Sequence, residues 1–225
     1  MKLILGFLCL ALSFNVSAQE STCFGTTSNG RLENGVKLPG SGINFKSYGS
    51  IPSLAGRTYV HSKVRQIVID AYKVLEIDQP DKLYKYAETG LKNGGQFKPH
   101  KTHRNGLSVD FIVPVIDKKG RSVHLPTHVL NKYGYKIEFD NQGRYESYKI
   151  DFEAMRAHIV ALHKAAKKTG AGIWRVIFAP ELQTYLNKSK YGSYIRDNIQ
   201  MSKIRSWVRH DEHYHVDLSI RCAPM

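Results

Sequence analysis

The segment "HYHVDLSI", residues 213–220, decides how this chain is read. Its length and its aromatic and β-branched residues suit a strand. On a strand, side chains two apart share a face, about 7 Å from one another. His213 and His215 therefore point the same way, and Tyr214 points oppositely, toward core or solvent. Three of the ten histidines fall within six residues of the wider stretch "RHDEHYHVDL" at 209–218, His210 being the third.

A second dense stretch, "PHKTHRNGLSVDF" at 99–111, lies about a hundred positions upstream. Residues 106–116, "GLSVDFIVPVI", read as a strand weakened at Pro114. Asp110 shares a face there with Ser108 and Ile112. Asn105-Gly106 supplies a tight turn, so His103 can fold back beside Asp110. One ion could then be held by His103, Asp110 and one histidine of "HYH", leaving the other histidine to act as a base. Zinc suits imidazole and carboxylate ligands, and three protein ligands leave a position for water. There is no H-E-x-x-H pattern. His61, His158 and His163 read as ordinary surface histidines. His124 and His128 have helical spacing, but Pro126 lies between them.

The rest of the chain supplies a frame. Residues 1–18 have one charge, Lys2, an apolar run from Leu3 to Leu12, and Val16-Ser17-Ala18 as a small-residue cleavage site, the pattern of a secretory signal. The run is too short to span a bilayer, and no later stretch could, so stable membrane insertion is not expected. Residues 19–58 are rich in Gly, Ser and Pro and read as an irregular arm packed on a domain at 59–225. Apolar spacing predicts helices over 60–76 and from a cap at Asp151 to Gly170. Strands are expected at 83–89, as a hairpin within 135–150, as a buried strand at 173–178, and at 213–220, with a short helix opening at Pro180. Helices and strands do not alternate regularly, which points to an α+β domain with a mainly antiparallel sheet flanked by helices. Cys23 and Cys222 remain once the leader is removed, and an oxidising compartment makes a disulfide between them the natural expectation, worth roughly 4–5 kcal/mol. The formal charge of +14, one less without Lys2, points to an anionic partner.

The spacing of His103, Asp110, His213 and His215 resembles the signature of the LAS metallopeptidases. Within that group the finer likeness is to the penicillin-insensitive murein endopeptidase family. His100 and His103, three apart before "GLSVD", carry it, as do His210 three before the H-x-H, Gly94-Gly95 and "LPGSG". The likeness runs from about residue 30 to 221. It implies a LAS/hedgehog-like zinc peptidase fold, with Zn2+ on His103, Asp110 and His215. It makes His213 the base or transition-state stabiliser, with His210 beside it in catalysis. His100 becomes a polar lining or substrate-binding residue. The family usually has an acid where this chain has Ser108 and an arginine where it has Asp217. The substrate implied is the D-alanyl–diaminopimelyl cross-link of peptidoglycan, in the periplasm or outside the cell, with anionic stem peptides meeting a basic surface. Other readings are a D-Ala-D-Ala carboxypeptidase or dipeptidase of the same fold, a non-catalytic zinc-containing wall-binding module, and a secreted nuclease. A His/Asp/His set suits zinc better than magnesium, so no nucleic-acid partner is expected. Oligomeric state is not legible.

Overall fold

The computed structural model describes residues 19–188, 192–206 and 208–225. The leader expected at 1–18 lies outside the described residues.

In chain order, a hairpin of β1 (Thr22–Gly25) and β2 (Gly30–Glu33) is followed by β3 (Val36–Lys37), β4 (Phe45–Ser47), the short α1 (Ser50–Leu54) and β5 (Tyr59–Val60). Then come α2 (Ser62–Asp78), β6 (Tyr84–Tyr86), β7 (Ser108–Ile112), β8 (Val115–Ile116) and β9 (Ser122–Val123). β10 (Arg144–Tyr145), β11 (Tyr148–Ile150), α3 (Phe152–Lys168), β12 (Gly172–Ile177), α4 (Gln183–Leu186), α5 (Gly192–Asn198) and β13 (His213–Ser219) complete the order. The central sheet runs β12-β13-β7-β6-β4, antiparallel except for the β4–β6 pair. A four-stranded sheet, β10-β11-β8-β9, lies beside it. This is an α+β fold with mostly antiparallel sheets. The segment 19–58 holds four short strands, and β4 forms one edge of the central sheet.

β7 and β13 divide the domain. Their period of two sends Val109, Phe111, Tyr214 and Val216 to one face, where all are buried. Helix α2 buries Val64, Ile67, Val68, Ala71, Tyr72 and Leu75 on one stripe, and α3 packs against it. Each such aliphatic side chain is worth about 1.5–3 kcal/mol relative to exposure. Helix α3 starts where Asp151 Oδ1 accepts the Ala154 N–H at 3.1 Å, a cap worth about 1 kcal/mol. Lys167 and Lys168 lie in its last turn, where they oppose the helix dipole. The other face of β7 and β13 carries Asp110, His213 and His215, roofed by loops.

Four expectations need correction. His158 is fully buried in the core, not on the surface. It lies among Tyr72, Tyr84 and Phe111, with ring centroids 4.6–5.3 Å away, and hydrogen-bonds the Tyr214 hydroxyl. A polar residue on a helix stripe can be buried when a core partner takes one of its polar atoms, here Nδ1, while Nε2 has none. His163 and His61 are also buried; the first bonds the Tyr194 hydroxyl at 2.8 Å, and the second caps α2 by accepting the Lys63 N–H at 3.1 Å. The strand expected at 173–178 is the edge strand β12, Gly172–Ile177, in which only Val176 is buried and Trp174 is 49 % exposed. The expected hairpin is present as β10 and β11, turning at Glu146-Ser147, while the Asp140 carboxylate binds the Gln142 and Arg144 N–H groups and closes "DNQG" into a separate turn.

Cys23 and Cys222 form a disulfide. It ties β1 to the C-terminal tail across 199 positions.

Candidate metal and catalytic site

The site grows from one register. β7 and β13 pair so that His215 stands opposite Asp110 and Asp217 opposite Ser108, with His213 opposite Ile112. His103 joins them from the loop before β7. Its backbone is left-handed, φ 67°, an uncommon state for a residue with a Cβ. Gly106, at φ 76°, allows the close approach that closes this loop, since a Cβ there would lie 2.7 Å from the His61 nitrogen. His210 is also left-handed, φ 56°, as are Lys132 and Tyr133 on the groove wall. Backbone of this kind concentrates at functional sites.

The hydrogen bonds set the ring nitrogens. His103 Nδ1 donates to the Thr89 carbonyl at 3.0 Å. Its Nε2 is buried with no hydrogen-bond partner and lies 3.3 Å from Asp110 Oδ1. Asp110 Oδ1 is 2.8 Å from His215 Nδ1, and Oδ2 accepts from the Tyr135 hydroxyl at 2.8 Å. His215 Nε2 donates to Asp217 Oδ1 at 2.8 Å. Burial alone would depress His215, but Asp217 and Asp110 raise it to about 10. Burial alone would raise Asp110, yet His103 and His213 hold it well below the usual range. Two carboxylates clamp one imidazole here, and the bare His103 nitrogen faces the same point. Such a donor set could hold a cation, and imidazole plus carboxylate is a combination that transition metals accept.

His100, His103 and Asp110 also form a group able to bind a metal, their ligand atoms all within 4.8 Å of one another. His100 has a different partner, however: its Nε2 pairs with Glu88, which Arg57 grips with both forks, the second at 2.8 Å. Tyr48 donates to the same carboxylate at 3.0 Å. Burial would raise Glu88, but Arg57 and His100 bring it down to about 2.

His213 and His210 lie side by side, ring centroids 4.5 Å apart. His213 Nδ1 donates to Glu212 at 2.7 Å, which turns Nε2 toward Asp110 Oδ2, 3.9 Å away. Burial disfavours its charged form, but Glu212 and Asp110 outweigh that and raise it. His210 Nδ1 donates to the Val208 carbonyl at 2.9 Å. Burial and His213 lower it to about 4, so it stays neutral with a bare Nε2 acceptor. A groove of about 700 Å³ opens over these rings, walled by Tyr48, Lys101, Lys132, Tyr133 and Arg175.

The structure thus brings His100, His103, Asp110, His210, His213 and His215 together. Sequence reasoning missed Glu212, Asp217, Glu88 and Tyr135 as their partners. Glu212 and Asp217 had local signals, the first its position next to His213 and the second its place two after His215 on the same strand face. His124 and His128 take no part in the group.

No curated protein sequence matches the chain. A family model does, described as penicillin-insensitive murein endopeptidase, over residues 23–224. That span takes in both histidine-rich stretches, the groove and both cysteines of the disulfide. Paired imidazoles, set beside a buried donor group that could hold a cation under an open groove, suit hydrolysis of a peptide bond, and the chain belongs to the penicillin-insensitive murein endopeptidase family, peptidases that act on peptidoglycan.

Proposed function

We propose that this chain is a zinc-dependent endopeptidase that cuts D-alanyl–diaminopimelyl cross-links, with His103 Nε2, Asp110 Oδ1 and His215 Nδ1 holding the ion. One observation carries the reading: the unpartnered, fully buried His103 Nε2 beside the Asp110–His215 contact. Zinc in such a site lowers the pKa of water to about 7 and polarises a carbonyl.

The chain's own groups do the rest. His213 accepts the proton of the attacking water at Nε2, and Glu212 stabilises the imidazolium that forms. His213 then returns the proton to the departing amine. His210, neutral with a bare Nε2, orients a substrate N–H or the water by accepting from it. His100, held by Glu88, lines the groove and contacts the substrate backbone. Tyr135 occupies Asp110 Oδ2, which leaves Oδ1 for the ion. Lys101 and Lys132 meet the carboxylates of the stem peptides, and the net positive charge draws the polymer in.

A disulfide fits an oxidising compartment, which supports a cleaved signal at 1–18 and a place in the periplasm or outside the cell. No helix among the described residues is long and apolar enough to cross a membrane. In this reading residues 19–58 are an arm integral to a peptidase domain at 59–225.

The test is digestion of cross-linked muropeptide dimers, read by mass spectrometry. Release of monomers that stops with a chelator and returns with zinc is the expected result. Cleavage indifferent to chelation overturns the metal reading, and release of terminal D-alanine alone makes the protein a carboxypeptidase.

A further inference from the structure

We propose that Asp217 is a positioning residue that decides which nitrogen of His215 faces the ion, and that Ser108 and Arg175 hold it to that task. The inference rests on the zinc reading above. Asp217 is fully buried and collects three donors. The Ser108 hydroxyl reaches Oδ1 at 2.5 Å, Arg175 Nε reaches Oδ2 at 2.7 Å, and His215 Nε2 reaches Oδ1 at 2.8 Å. A carboxylate so supplied can only accept from His215. The imidazole proton is therefore fixed on Nε2, and the Nδ1 lone pair is left toward Asp110 Oδ1.

The strand geometry is built around this contact. β12 and β13 pair Ile173 with Leu218, and then the register shifts so that Arg175 stands opposite Asp217. An unbroken ladder would put Trp174 there. The bulge brings Arg175 to the face that carries His215 and leaves Trp174 half exposed, with the guanidinium 4.4 Å over its ring. Arg175 also lines the groove, so the side chain that anchors Asp217 borders the substrate.

Partners that orient a ligand histidine typically govern metal affinity by 10–100-fold. The test measures zinc affinity by competition with a chromophoric chelator, beside nitrogen NMR of the imidazoles in zinc-loaded protein. Wild type is expected to bind tightly, to lose zinc with His215→Ala, and to show one histidine bound through Nδ1. Asp217→Asn should weaken zinc by about 10–100-fold, with Ser108→Ala and Arg175→Gln weakening it less. Wild-type affinity in Asp217→Asn, or His215 bound through Nε2, overturns the proposal. If Asp217→Asn does not fold, wild-type affinity in both Ser108→Ala and Arg175→Gln overturns it equally. A wild type that takes up no zinc, or takes it up unchanged after His103→Ala, overturns the metal reading instead.

Discussion

His158 and His215 are equally hidden from water and lie on opposite faces of the same strand pair, yet they are driven in opposite directions. His158 sits among aromatic rings with one hydroxyl partner, and burial lowers it to about 3. His215 is also penalised by burial, but Asp217 and Asp110 raise it to about 10. Burial therefore does not make a histidine structural or functional; the charge of its neighbours does. One face of β7 and β13 packs His158 among aromatic rings, with a single hydroxyl partner at Nδ1 and none at Nε2. The other sets its histidines against the carboxylates Asp110, Asp217 and Glu212.

The sharpest way to break this contrast is Asp110→Ala. It removes the carboxylate common to His103 and His215, and both zinc and muropeptide cleavage should be lost. Retained zinc, measured by metal analysis, would rule Asp110 out as a ligand. His213→Ala should keep zinc but lower kcat by about 10²–10⁴-fold, the usual worth of a general base. Full activity with full zinc would refute its role.

Weaker effects fall away from the carboxylates. Replacing Cys23 and Cys222 together by serine should cost about 4–5 kcal/mol of stability, measured by urea unfolding. Zinc uptake should survive, because neither cysteine touches the ion-facing nitrogens; a loss of zinc in folded protein would show that the disulfide shapes the site.

The smallest effect tests the core face through pH. The folded pKa of His158 lies below its ordinary value of 6.5, so its stabilising contribution is full above that value and is lost as pH falls toward about 3. His215 in metal-free protein runs the other way, its contribution full below 6.5 and lost as pH rises through about 10. His158→Phe should therefore lose about 2–3 kcal/mol less stability than wild type between pH 7 and pH 4. An equal loss in the two proteins would mean that His158 is not the acid-sensitive group of the core.

Much of the local structure was legible in the sequence. The period of two in "HYHVDL" set which side chains share a face, the apolar spacing of α2 and α3 set their buried stripes, and Asp151 marked the start of α3. These signals are local because each is produced by a residue's own backbone geometry. The chemical roles of His103, Asp110 and His215 were also proposed from spacing, with a family resemblance choosing among the histidines. The surface reading of His158 failed because a helical pattern cannot tell a polar residue facing water from one facing a buried hydroxyl.

What only the tertiary structure decided is partnership. His215 meets Asp110 across 105 positions, and Glu88 meets His100 from a strand end rather than from the histidine-rich loop. The bulge at Trp174 decides that Arg175, not its neighbour, reaches Asp217. A single chain carries no local mark of register between distant strands, because register is chosen by the sum of contacts along both faces of the sheet. Residue type and periodicity therefore determined which groups could do chemistry here, and strand pairing decided which nitrogen and which oxygen face one another.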